Sequence, residues 1–151
     1  MIEVNTGEFK ETSTDIMFST AFDCCVGIYV IGKHFSSLGH INTSTSYEFD
    51  LDYGHSIKFY QAMETIKKNN DISNHVVYWG IVNGLQPYPK NNPNIIMINN
   101  SIKFLEDYFK EKNLIRMKDI TSYSITIDPL KKEIKSDSEV ININLKKDKS
   151  I

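Results

Sequence analysis

Cys25 and His40 are the two residues of this chain whose types and spacing suit covalent chemistry. A cysteine attacks a carbonyl carbon as the thiolate, and a neighbouring imidazole can take up the thiol proton. The two cysteines are adjacent, at positions 24 and 25, and adjacent residues rarely satisfy disulfide geometry. At least one of them is therefore expected to remain a thiol. Spacing alone leaves a second interpretation open, in which the cysteine fills the core and the histidine lies on the surface.

A predicted hairpin brings Cys25 and His40 to neighbouring positions on two paired strands. Residues 25–31 are rich in β-branched and aromatic types, which favour a strand. Gly32-Lys33 is a turn signal, and a second strand is predicted over 36–41. Because the second strand runs back along the first, the hairpin permits contact between His40 and Cys25.

The remaining predicted elements complete an α/β domain. Apolar residues at three-residue steps predict an amphipathic helix, and a near-continuous apolar run predicts a strand covered on both faces. In chain order these elements are a strand at 15–22, the helix at 56–68, the apolar strand at 75–82, a helix from 100 or 101 to about 112, and a terminal hairpin of strands 121–128 and 139–145 joined by 129–137. The prediction is one domain over residues 1–145, followed by a polar tail at 146–151.

Charge and composition exclude several classes of protein. Charged residues make up 24% of the chain, the formal net charge is -2 and the pI is about 6.1. No basic field is therefore present to attract nucleic acid or anionic lipid. The longest apolar run, at 24–31, is too short to cross a bilayer, and no basic segment leads into an apolar stretch at the N-terminus. The sequence predicts a cytoplasmic protein without membrane insertion.

The histidine and glycine patterns argue against a bound metal or nucleotide. His34, His55 and His75 have no clustered carboxylates or second cysteine pair beside them, and Cys24-Cys25 cannot imitate a C-x-x-C motif. Glycine-rich phosphate-binding motifs are absent from the sequence. We therefore expect no metal and no cofactor.

The aromatic residues divide between the predicted core and the predicted loops. Trp79 lies on the apolar strand and is expected in the core. Tyr47 and Tyr88 lie in predicted loops, where exposed aromatic side chains often serve recognition. These two tyrosines are the predicted substrate contacts outside the strand that precedes Cys25.

Several short motifs stand in an order that is typical of one enzyme family. They are Gly7-Glu8-Phe9, the stretch STAFDCCVGIY at 19–29, Leu38-Gly39-His40-Ile41, the strand 76–82 followed by Asn83-Gly84, and Ile98-Asn99-Asn100 before the second helix. In this order the chain resembles the chemoreceptor glutamine deamidase family, CheD. That family has a Gly-Glu-Tyr-like motif, a Thr-x-Leu-Gly-Ser-Cys-Val-like nucleophile strand, an apolar-x-His-apolar motif and a Gly-Gly pair after the apolar strand. The resemblance covers most of the chain.

The resemblance implies a fold and a set of catalytic residues. The fold is a CheD-like layered sandwich of mixed β-sheet with two main helices. Cys25 takes the position of the nucleophile, His40 that of the general base, and Ser19 that of the hydroxyl that orients the histidine. Thr20 is the alternative orienting residue if the strand carries a bulge, and it is also a candidate substrate contact.

The activity implied by the resemblance is hydrolysis of glutamine side-chain amides to glutamate and ammonia through a thioester. The partner is then a protein that presents an exposed glutamine, either a chemoreceptor in bacterial chemotaxis or a host protein attacked by a toxin-like effector delivered to the host cell. Two other functions stay open. One is a catalytically inactive CheD-like binding module in chemotaxis or signalling, suggested by the carboxylate of Asp23 near Cys25, and the other is a different thiol hydrolase.

Overall fold

A computed structural model of the chain describes residues 1–23, 25–42, 54–84, 99, 103 and 105–143, with the backbone alone for 42 and 54–60. Within these residues the strands are β1 (Ile2–Glu3), β2 (Phe9–Thr12), β3 (Met17–Thr20), β4 (Cys25–Ile31), β5 (Ser36–Asn42), β6 (Val77–Val82), β7 (Leu114–Arg116), β8 (Ser124–Asp128), β9 (Glu133–Ser136) and β10 (Val140–Asn142). Helix α1 is Gly54–Asn69. Residues 99, 103 and 105–108 are also helical.

The strands form two mixed sheets of five strands each. The central sheet has the order β2-β5-β4-β6-β7, and the outer sheet has the order β1-β3-β8-β9-β10. Neighbouring strands run antiparallel except for the parallel pairs β1 with β3 and β6 with β7. Two mixed sheets and two helical regions confirm the predicted α/β class.

Strand β4 lies in the middle of the central sheet and is covered on both faces. All of its residues are buried. Ile28 belongs to the apolar cluster of Met63 and Phe109 on the helical side, whereas Tyr29 belongs to the cluster of Ile127 in the outer sheet. Since successive strand residues point to opposite faces, a strand between two apolar layers needs the unbroken run CVGIYVI. The layers are therefore helices, central sheet and outer sheet.

Most predicted elements are confirmed, with ends that differ by a few residues. The predicted strand at 15–22 is the shorter β3, the strand at 75–82 is β6, and the helix at 56–68 lies within α1. Trp79 is in the core, as predicted. The second helical region ends at residue 108 rather than near 112, because residues 109 and 110 leave the helical conformation.

The predicted terminal hairpin is wrong. Strand β9 lies between the two predicted strands, so that β8 pairs with β9 and β9 pairs with β10. The segment that forms β9 has the sequence EIKS and buries one apolar side chain, Ile134. With so little alternation it resembles a polar loop in sequence, and pairing with its neighbours determines its conformation. The short strands β1, β2 and β7 were also absent from the sequence prediction.

Two further expectations concern the ends of the domain and the membrane. The predicted boundary at residue 145 and the polar tail at 146–151 lie outside the described residues. In the part of the chain that the structure describes, none of the helices combines the length and apolarity that a membrane span requires.

Candidate active site

The hairpin of β4 and β5 places Cys25 and His40 on the same face of the central sheet. Gly27 lies directly opposite His40, and Cys25 lies opposite Asn42. Opposite residues of an antiparallel pair share a face, and residues two apart on one strand share it too. Cys25 and His40 are therefore diagonal neighbours, within reach of an aromatic side chain. Both are buried, and Cys25 retains 8% of its surface exposed.

The outer sheet contributes Ser19 to the other side of His40. Ser19 lies on β3, is fully buried, and places its Oγ 2.8 Å from the Nδ1 of His40. The same Oγ lies 2.5 Å from the carbonyl oxygen of Val4. The imidazole therefore contacts, between the two sheets, the hydroxyl of the residue that the resemblance assigns to orienting the histidine. Thr20, the alternative, is exposed at the end of β3.

The backbone of His40 is fixed by the N-terminal motif. The N–H of Gly7 donates to the carbonyl of His40 at 2.7 Å, and the N–H of His40 donates to the carbonyl of Glu8 at 3.0 Å. Gly7 has a φ of 84°, a conformation that glycine adopts without steric cost. The Gly7-Glu8 motif thus has a structural reason, since it anchors the backbone of His40.

The hydrogen bonds of Ser19 determine which nitrogen of His40 carries the proton. A carbonyl only accepts, so the single hydroxyl proton of Ser19 is donated to Val4. Ser19 must then accept at its second contact, and Nδ1–H of His40 is the donor. A neutral imidazole has one N–H, which leaves the lone pair on Nε2. This buried atom has no hydrogen-bond partner among the described residues, so it is available as a base.

Burial keeps the His40 ring neutral. Desolvation lowers the pKa of His40 from 6.5 to about 4, and the carboxylate of Asp23 opposes this shift by favouring the charged ring. Asp23 itself is exposed. At neutral pH the imidazole is therefore an unprotonated base, ready to accept a proton at Nε2.

Protonation of His40 is expected to make the fold less stable in acid. Below pH 6.5 the unfolded chain binds a proton on this ring that the folded chain does not bind until the pH nears 4. The free energy of unfolding should therefore fall as the pH decreases across this window, by roughly 2 kcal/mol between pH 7 and 5. Urea unfolding at both pH values measures the loss. His40→Gln, which does not titrate, should lose less, and an equal loss in both proteins would contradict the assignment.

A glycine opposite His40 makes room for an aromatic ring that stacks on the imidazole. The rings of Phe22 and His40 have centroids 4.4 Å apart and an interplanar angle of 28°. A Cβ on Gly27 would lie 2.6 Å from Cε1 of Phe22 and 2.3 Å from Cγ1 of Val82. Any other residue at position 27 would therefore displace the ring that packs against the base.

The segment between β3 and β4 is tied to two other parts of the chain. Its first residue, Ala21, has a φ of 71°, a left-handed conformation that is unfavourable for a residue with a Cβ. The N–H of Phe22 donates to the carbonyl of Tyr123 at 3.1 Å, and the carbonyl of Phe22 accepts from Gly84 at 2.7 Å and from the side chain of Asn83 at 3.1 Å. These bonds hold the backbone of Phe22 next to the strained residue Ala21.

Of the three predicted substrate contacts, Thr20 is the one that the structure describes. Tyr47 and Tyr88 lie outside the described residues, as does Cys24. Thr20 is exposed beside the segment that leads to Cys25. Tyr123, which the sequence analysis did not single out, is 52% exposed next to that segment.

Two other histidines, His34 and His75, contact each other. His34 and His75 pack edge to face with ring centroids 5.6 Å apart. Among the residues that the structure describes, no group of three or more histidine, cysteine or acidic side chains is placed to hold a metal ion.

The arrangement can support nucleophilic attack on a carbonyl. A thiol lies on the same face as a neutral imidazole, whose orientation and tautomer are set by a buried hydroxyl. No family model matches this chain, and no curated protein matches it.

Phe22 and Asn83 have contacts in the site that the sequence analysis missed. For Asn83 a signal existed, since a side chain stands where the CheD-like pattern has glycine.

Proposed function

We propose that the protein is a CheD-like protein-glutamine deamidase, a cysteine-dependent hydrolase of glutamine side-chain amides. The observation that carries the proposal is the contact between Ser19 and His40 on the face of the sheet that also holds Cys25. The three residues are those to which the motif resemblance gives the catalytic roles, and their proximity supports the proposal. The layered arrangement of helices, central sheet and outer sheet supports a CheD-like sandwich.

In the proposed first step, Nε2 of His40 takes the thiol proton of Cys25 as the sulfur attacks the glutamine Cδ. The C–N bond then breaks, and the leaving nitrogen takes the proton from the imidazolium and departs as ammonia. The product is a thioester between Cys25 and the substrate side chain. Ser19 keeps its hydrogen bond to Nδ1–H throughout, so the ring presents the same nitrogen in both directions of proton transfer.

In the second step, water gives a proton to Nε2 of His40 and attacks the thioester carbonyl. The C–S bond breaks, the sulfur of Cys25 recovers the proton, and the substrate leaves as glutamate. The net reaction consumes one water molecule and releases one ammonia, and it requires no cofactor.

The burial of the nucleophile favours a side-chain amide as the substrate. Cys25 has 8% of its surface exposed, so a slim, extended glutamine side chain reaches it more easily than a peptide backbone does. The proposed partner is a protein with an exposed glutamine, either a chemoreceptor in the bacterial cytoplasm or a host protein reached by an effector. Tyr123 is exposed beside the site and offers an aromatic surface to that partner.

The direct test is incubation with a chemoreceptor cytoplasmic fragment and, separately, with an unfolded glutamine-rich protein. Ammonia release and peptide mass spectrometry together count the glutamines converted to glutamate. We expect ammonia and new glutamate in equal amounts with the wild-type chain, and neither with Cys25→Ala. The matched control Cys24→Ala should retain the activity, because the neighbouring thiol is not the predicted nucleophile.

The opposite outcome would favour the binding module. If the folded wild-type chain releases no more ammonia than Cys25→Ala from either protein, while it binds one of them, catalysis is absent and the deamidase proposal is wrong. Preferential labelling of Cys24 by iodoacetamide would instead show that the nucleophile has been misassigned.

A further inference from the structure

Asn83 connects the two ends of the segment that leads into the nucleophile strand. It follows β6 directly and is 2% exposed. Its Nδ2 lies 2.6 Å from the carbonyl oxygen of Cys25 and 3.1 Å from that of Phe22. A carboxamide nitrogen has two hydrogens, so one side chain can donate to both carbonyls.

The backbone of Asn83 is itself fixed, so the carboxamide is a rigid support. Its N–H donates to the carbonyl of Ile120 at 3.0 Å, and its carbonyl accepts from the N–H of Ser122 at 3.3 Å. Both partners lie between β7 and β8. Asn83 therefore links the chain between β7 and β8 to the residues beside the thiol.

The two carbonyls that Asn83 holds belong to the residue that carries the thiol and to the residue whose ring contacts His40. Cys25 carries the thiol, and Phe22 stacks on the imidazole of His40. Ala21, directly before Phe22, has a strained backbone conformation that persists only where the surrounding structure holds it. The bond to Cys25 restrains the backbone that carries the thiol, and the bond to Phe22 restrains the residue that stacks on His40.

We propose that Asn83 is a positioning residue that holds Cys25 in register with His40 through the carbonyls of Cys25 and Phe22. The inference rests on the proposed catalytic pair, and it adds a residue outside the Cys25, His40 and Ser19 set. The Gly-Gly pair of the CheD-like pattern has no side chain that could form these bonds. The two hydrogen bonds of Asn83 are therefore a feature of this chain and not of the pattern.

The test is a double-mutant cycle on the alkylation rate of Cys25, which requires no substrate. Iodoacetamide labelling is measured at pH 7 by peptide mapping, in the wild-type chain and in Asn83→Ala, each with and without His40→Ala. In the wild-type background, loss of His40 should slow labelling of Cys25 by about 100-fold, the lower end for a positioned general base. We call the ratio of the labelling rates with and without His40 the His40 factor. In the Asn83→Ala background the His40 factor should be smaller by about 10-fold or more, a coupling typical of residues in one hydrogen-bond network.

A matched control separates positioning from general loss of stability. Asn113 is also a buried asparagine whose Nδ2 donates to a backbone carbonyl, that of Ile72, at 2.6 Å. Asn113→Ala should destabilise the fold to a similar degree and leave the His40 factor unchanged. If it reduces the factor as much as Asn83→Ala does, the effect is one of stability and the inference is wrong.

A second variant covers the case in which Asn83→Ala does not fold. Asn83→Gly also removes both donors, and the CheD-like pattern carries glycine at this position. An undiminished His40 factor in either folded variant overturns the inference, as does failure of both to fold, which would make Asn83 purely structural. If Asn83→Ala reduces the His40 factor as expected but the wild-type chain releases no ammonia, the deamidase proposal is contradicted. The positioning role of Asn83 is then retained.

Discussion

Replacing His40 with alanine is expected to lower kcat for glutamine deamidation by about 10²–10⁴-fold, the usual contribution of a positioned general base. In the proposed mechanism the lone pair on Nε2 of this ring takes up the thiol proton, and alanine supplies no substitute. The ring is buried and neutral, since desolvation lowers the pKa of His40 to about 4. Ammonia release at saturating substrate measures the loss of activity, and circular dichroism checks that the variant is folded.

His34→Ala is the control for this substitution. His34 is an exposed residue of the turn between β4 and β5, on the same hairpin as His40. Its removal should change kcat by no more than about 2-fold, as is usual for a surface position. Equal losses in the two variants would show that the hairpin, rather than the Nε2 of His40, is what the reaction depends on.

Ser19→Ala is expected to lower kcat by about 100-fold with little change in KM, because an unheld imidazole is less often aligned and can take the wrong tautomer. Without Oγ, Nδ1–H of His40 loses its acceptor and the carbonyl of Val4 loses its donor. The fold should also lose about 1–3 kcal/mol, since two buried polar groups are left unpaired. Steady-state kinetics and urea unfolding measure the two effects separately.

Two neighbouring variants make this result specific. Ser19→Thr keeps the hydroxyl and should retain most of the turnover. Thr20→Ala alters an exposed residue on the same strand, and it should leave kcat unchanged while raising KM if Thr20 contacts the substrate. Full turnover in Ser19→Ala would show that the hydroxyl does not orient the base, and loss of turnover in Thr20→Ala would transfer that role to Thr20.

The hairpin that carries the candidate site could be predicted because its signals are local. The apolar run of β4, the Gly32-Lys33 turn and the strand after it follow one another directly. Once the turn is placed, the alternation of side chains determines that Cys25 and His40 share a face. The observed register, with Gly27 opposite His40, agrees with that expectation.

The contacts that complete the site could not be predicted, because they join segments without a local pattern. The side chain of Asn83 bonds the carbonyls of Phe22 and Cys25, residues that precede it by 61 and 58 positions. Nothing in the sequence next to Asn83 indicates those partners. Strand β7 was missed for a different reason, since three residues are too few to show a period.

The backbone bonds around the candidate site also determine when it can form. The N–H of Phe22 bonds the carbonyl of Tyr123, whereas His40 is anchored by Gly7 and Glu8 near the start of the chain. During synthesis the thiol emerges from the ribosome long before Tyr123 does, and the outer sheet cannot close until that residue arrives. A nascent or partly unfolded chain therefore carries an ordinary cysteine beside an unaligned imidazole. For the proposed deamidase, reactivity would therefore belong to the finished fold alone, and amides near an incomplete chain would not be attacked.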